Sequence, residues 1–141
     1  MTIPEYRIYE DLDALGVDVT EIPMKNNVAV AFEDNFIAID PSRCKSESTY
    51  STVLAHEAGH FISGAFYSVK CPYAIRQKAE HRAFAASVQR YLSPDDFMQA
   101  FRDGYTETWQ LAEYFGLDEE YIKKALHYWI ECRGVNFNCE E

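Results

Sequence analysis

Apolar positions along this chain follow two rhythms, and the change between them marks out its parts. From Pro4 to Leu15 the spacing of Ile8, Leu12 and Leu15 predicts a short helix with those three on one face, which Gly16 stops. Three brief runs follow, Asp18 to Met24, Val28 to Phe32 and Phe36 to Ile39, and each reads as a strand. Glu33-Asp34-Asn35 predicts the turn between the last two. From Ser46 onward the period is helical. Ser46 or Ser48 can cap a helix that runs to about Phe61 and ends near Gly64. A loop from Phe66 to Tyr73, broken by Pro72, leads to a second long helix from Ala74 to Leu92. Ser93 caps a third, with Pro94 at its first position and Asp95 and Asp96 favourable in its first turn. Thr108 to Leu126 has helix-turn-helix spacing about Gly116, and a loose tail begins near Gly134.

These elements predict one α+β domain over residues 1–141, with a small three-stranded antiparallel sheet packed on a helix pair. The N-terminal helix and sheet occupy 1–45, the long helix pair 46–92, and a helical C-terminal half 93–133. No internal repeat, low-complexity stretch or linker divides the chain. Either Val28–Phe32 or Phe36–Ile39 could form a sheet edge that takes an extended peptide by strand addition.

Composition narrows the partners. A chain of 141 residues with 48% hydrophobic and 15% aromatic content can fill one core without staples. Its 13 basic and 23 acidic residues give a formal charge of −10, which repels nucleic acid and attracts a basic polypeptide. The helix-turn-helix spacing does not alter this, because its second helix opens Asp118-Glu119-Glu120 where phosphates would have to be met. That pair reads as a packing or protein-docking unit. No apolar run approaches the roughly 20 residues of a membrane span, and no signal peptide opens the chain. A cytoplasmic protein is the expectation, with Cys44, Cys71, Cys132 and Cys139 reduced and without zinc-ribbon spacing.

The chemistry concentrates in the first long helix, at His56-Glu57-Ala58-Gly59-His60. Residues four apart share a helix face, so both imidazoles can point at one metal ion, with the Glu57 carboxylate placed to take a proton from water. Thr52-Val53-Leu54-Ala55 before the motif and Phe61-Ile62 after it leave Glu57 the one acidic or cationic side chain, histidines aside, in an otherwise apolar stretch. A zinc site of this kind needs a third protein ligand and an open position. One known arrangement, a glycine and then a third histidine six residues after the second, is excluded by Ser63 and Phe66. Glu80 is the better candidate, since Ala83 and Ser87 share its face and would let the second helix come close. His81 is its rival, about 100° round the helix. Tyr67, Tyr73 and His81 are candidates for oxyanion or substrate contacts, and Cys71 could approach a metal from the loop.

These residues resemble the ImmA/IrrE family of metallopeptidases. The likeness runs from about Asn35 to Ile130: Thr52 to Ile62, then Glu80-x-x-Ala83, then an apolar helix ending Leu92-Ser93-Pro94. Phe97, Gly104-Tyr105 and Leu111-Ala112-Glu113-Tyr114-Phe115-Gly116-Leu117 continue it. Phe84-Ala85-Ala86 stands in a shifted position relative to the family pattern, and Pro94 comes about one residue late. The resemblance implies Zn²⁺ on His56, His60 and Glu80, with Glu57 as catalytic base. It also implies a cytoplasmic bacterial or phage peptidase whose substrate is a helix-turn-helix repressor of a mobile element or stress response. Two other classes compete: a non-catalytic module that keeps the zinc-site scaffold and docks a regulator, and a metal-free interaction protein.

Overall fold

The computed structural model describes residues 2–68 and 70–137. Helix α1 spans Ile3–Ala14, strands β1 Asp18–Glu21, β2 Ala29–Phe32 and β3 Phe36–Ile39, and the long helices are α2, Glu47–Ser63, and α3, Tyr73–Tyr91. Then come α4, Pro94–Arg102, α5, Thr108–Phe115, and α6, Glu119–His127, whose end widens into a π-helical turn over Tyr128–Cys132. The fold class is α+β, as expected.

Local chemistry explains most boundaries. Thr2 and Glu5 cap α1 reciprocally, and the helix buries Pro4, Ile8 and Leu12 at fourfold spacing. Leu15, expected on the same face, is 45% exposed because the helix has ended one residue earlier. Ser46 rather than Ser48 caps α2 through the Thr49 N–H, and Gly64 closes it in the left-handed conformation at φ 71°. Ser93 and Asp96 form the capping box of α4.

The sheet is mixed, not antiparallel throughout. Its order is β1-β3-β2, with β2 antiparallel to β3 through the tight turn at Glu33-Asp34-Asn35, and β1 parallel to β3. β3 pairs with β1 on one edge and β2 on the other, and Ile37, Ala38 and Ile39 are all buried, so it is covered on both faces as well. The segment after Glu21 leaves the ladder at Pro23, which has no N–H to continue it, so β1 stops short of Met24. Phe36–Ile39 is therefore the central strand, and of the two edge candidates only β2 remains. β2 packs against α2.

The core joins Ile8 and Leu12 of α1, Ile37 and Ile39 of β3, Leu54 of α2, Val88 and Tyr91 of α3, Phe97 of α4 and Ile122 of α6. The expected loose tail is held as far as Phe137. Val135 donates to the Trp129 carbonyl at 2.9 Å, and the Phe137 ring packs on Phe97 and Phe101. Residues 138–141 of that tail, including Cys139, lie outside the described residues. Among the described residues, no helix is long and apolar enough to cross a membrane.

One polar knot ties α1 to α3. Asp11 accepts from Arg90 at 2.7 and 2.8 Å and from the hydroxyl of Tyr91, a fully buried residue, at 2.8 Å. Burial pushes the Asp11 carboxyl up, but the bonds from Arg90 and Tyr91 outweigh it and hold the group below its usual value. Asp11→Ala strands a core hydroxyl, and should cost about 2–3 kcal/mol in denaturant unfolding at pH 7. Because the folded value is the lower one, this contribution is complete above the unfolded pKa of about 3.9 and fades as pH falls through the folded value. Wild type and variant should converge in acid. Equal stability at neutral pH would refute the role.

Candidate metal centre

The site is made by the close approach of α2 and α3. His56 and His60 lie one turn apart on α2, with ring centroids 5.1 Å apart and the rings edge to face. Between them on the helix, Gly59 lies against α3. A Cβ at Gly59 would stand 2.1 Å from the Ala83 carbonyl oxygen and 3.3 Å from the Ser87 Cβ. Only three small residues let the helix axes come this near. The consequence is that Glu80, one turn before Ala83, reaches both imidazoles: Oε1 lies 2.7 Å from His56 Nε2, and Oε2 3.5 Å from His60 Nε2. The ligand atoms of His56, His60 and Glu80 all lie within 4.8 Å of one another, and the three residues form a group that could hold a metal ion.

Outer contacts fix the orientation of this group. His60 Nδ1 lies 2.6 Å from the Ala65 carbonyl oxygen, which can only accept, so Nδ1 carries the proton and Nε2 faces the group. The Tyr67 hydroxyl donates to Glu80 Oε2 at 2.6 Å. Bonds from His56 and His60 hold the Glu80 carboxyl far below the usual carboxylate range. Burial lowers the affinity of His60 for a proton, but Glu80, Ala65 and Glu57 together raise it. Burial and Glu80 push the Tyr67 hydroxyl up to about 12. A metal ion would compete with protons for this same pair of imidazoles.

Glu57 lies beside the group and is buried. Burial raises its carboxyl, His56 and His60 draw it down, Glu80 raises it again, and a bond from the Ala31 backbone N–H lowers it, for a net rise. A carboxylate whose affinity for a proton is raised in this way is a stronger base than an exposed one. The bond also shows how β2 faces the site. Asp40 donates to the Val28 carbonyl at 2.8 Å, which sets the ladder so that residues 28, 30 and 32 bond to β3. Ala29 and Ala31 therefore turn their backbone groups outward, to the open edge beside Glu57.

Two cavities flank this edge. The larger, about 640 Å³, has walls from Val28, Val53, Phe84 and Tyr121; the smaller, about 290 Å³, has Phe66, Tyr67 and Arg76. Ala29, Glu57 and Glu80 line both, so the cavities are two ends of one groove that passes over Glu57 and Glu80. The N-terminus of α6 forms part of the larger wall. Asp118 is docked on α2, accepting from Thr49 at 2.9 Å while its N–H donates to Thr52 at 2.8 Å.

Of the residues singled out in the sequence, His56, Glu57, His60, Glu80 and Tyr67 come together. His81 lines the larger cavity but lies outside the ligand group, and Tyr73 is 73% exposed at the start of α3, lining neither cavity. Cys71 takes no part in the ligand group, and Cys44, Cys71 and Cys132 are free thiols. Three contributors escaped sequence reasoning: the Ala31 N–H, the Ala65 carbonyl and Gly59. The first two are backbone groups with no side-chain signature. Gly59 had one, since a glycine inside a helix pattern marks close packing. No family model, curated protein or solved structure matches this chain.

Proposed function

We propose that this chain is a zinc-dependent endopeptidase that hydrolyses a peptide bond in a protein substrate. The observation that carries the reading is the convergence of the His56, His60 and Glu80 ligand atoms within 4.8 Å, with the buried Glu57 beside them and the open edge of β2 alongside. Zinc, when bound, would bring the pKa of water to about 7 and polarise a scissile carbonyl. The chain supplies the rest. Ala29 offers its backbone N–H and carbonyl to an extended substrate strand. Glu57 takes the proton of the attacking water and passes it to the leaving amine. Tyr67, a hydroxyl donor on the rim of the ligand group, is positioned to turn toward the developing oxyanion.

The finer assignment rests on the resemblance to the ImmA/IrrE family. It makes the substrate a helix-turn-helix repressor of a mobile element or stress response and the compartment the cytoplasm. The charge of −10 fits such a partner, because a DNA-binding domain is commonly basic.

Metal content per chain, measured by elemental mass spectrometry, tests the site. The wild type should hold close to one zinc, and His60→Ala and Glu80→Ala should each lose it. A wild type that stays metal-free after zinc addition and dialysis would overturn the proposal. Bound zinc with no cleavage of any partner would instead favour the non-catalytic docking module.

A further inference from the structure

The larger cavity does not end at α6. It continues into a trough of about 370 Å³ that shares His81, Phe84 and Lys124 with it and adds Lys123, His127 and Tyr128. The two parts differ in charge. Near the ligand group the lining includes Glu57, Glu80, Asp118 and Glu120, whereas the trough is lined by no carboxylate, its formal charge coming from Lys123 and Lys124 and its two histidines adding hydrogen-bonding ring nitrogens. Arg133, outside this lining, holds the Tyr128 ring in place, with its guanidinium 6.0 Å from the ring centroid and donating to the hydroxyl at 3.1 Å. Lys123 has an exposed neighbour in Glu120 at 3.6 Å, a contact too solvated to neutralise the patch. On a chain of net charge −10, a concave surface of opposite sign floored by aromatic rings is a specific feature.

We infer that the trough between α3 and α6 binds an acidic segment of the polypeptide lying in the groove, with Phe84 and Tyr128 taking an apolar side chain and His81, Lys123, Lys124 and His127 facing its carboxylates. The polarity of the furrow then sets the direction of the bound chain: neutral or basic residues beside Glu57 and Glu80, acidic ones toward His127. Continuity with the larger cavity places this contact on the same polypeptide that reaches the β2 edge. A nucleic acid fits less well, because the cationic surface is short and gives way to carboxylates at its inner end.

The test reads binding without turnover, so it stands whether or not the chain proves to be a peptidase. Fluorescein-labelled peptides with one apolar centre and either Asp/Glu or Lys/Arg at one end are titrated into full-length Glu57→Gln protein by anisotropy. The acidic-ended peptide should bind about tenfold tighter, and the preference should shrink as salt is added. Lys123→Gln with Lys124→Gln should reduce the preference, and the two Lys→Glu changes should invert it. Equal binding of both peptides, no binding of either, or a preference unmoved by charge reversal would overturn the inference. So would a single-stranded RNA that displaces the acidic peptide and binds more tightly.

Discussion

Glu57→Gln is expected to lower peptide hydrolysis by about 10²–10⁴-fold while leaving one zinc per chain in place. The two side chains are nearly isosteric, and the amide oxygen can still accept from the Ala31 N–H that the carboxylate now uses. Folding should not suffer, because the change removes a charge whose burial is unfavourable. Metal content should not suffer either, since Glu57 is not among the three clustered ligands. What disappears is the buried base beside them. Peptides released from a complex mixture by the zinc-loaded wild type provide the assay, and the variant is scored on those same bonds. Hydrolysis that survives in the variant would remove Glu57 from its role and would require another base. Loss of zinc together with activity would show Glu57 acting on the ligand shell instead.

The legible and illegible parts of this protein divide along a physical line. His56 and His60 were readable because four residues bring them to one helix face, Glu57 because it adjoins the first of them, and Glu80 because Ala83 and Ser87 announced a closely approaching helix. Capping was equally local: Ser93, Pro94 and Asp96 specify the start of α4 within four positions. The parallel pairing of β1 with β3 depends on which strand becomes central, a property of the whole sheet. The continuous apolar run Phe36-Ile37-Ala38-Ile39, where a half-exposed strand would alternate, was its sign in the sequence. The anchoring of Val135 and Phe137, and the Asp11–Tyr91 knot across 80 positions, are tertiary facts with no local pattern behind them. The same holds for the Ala65 carbonyl that fixes the tautomer of His60.

Gly59 offers the second large effect, and its sign is the informative part. In an ordinary helix interior, glycine to alanine stabilises by about 1 kcal/mol through backbone entropy. Here the added methyl would lie 2.1 Å from the Ala83 carbonyl oxygen, and the obstacle is backbone, which no side-chain rotation can clear. The helices must separate by roughly an ångström, at an overpacking cost of about 1–3 kcal/mol that should exceed the entropic gain. Gly59→Ala is therefore expected to destabilise the metal-free protein, measured by denaturant unfolding with a chelator present. It should also weaken zinc binding by about 10–100-fold, because separating α3 from α2 draws Glu80 away from His56 and His60. The two effects have one cause and should appear together. A variant more stable than wild type with unchanged zinc affinity would show that the contact between α2 and α3 yields freely. The ligand group would then not owe its geometry to the small residues at 59, 83 and 87.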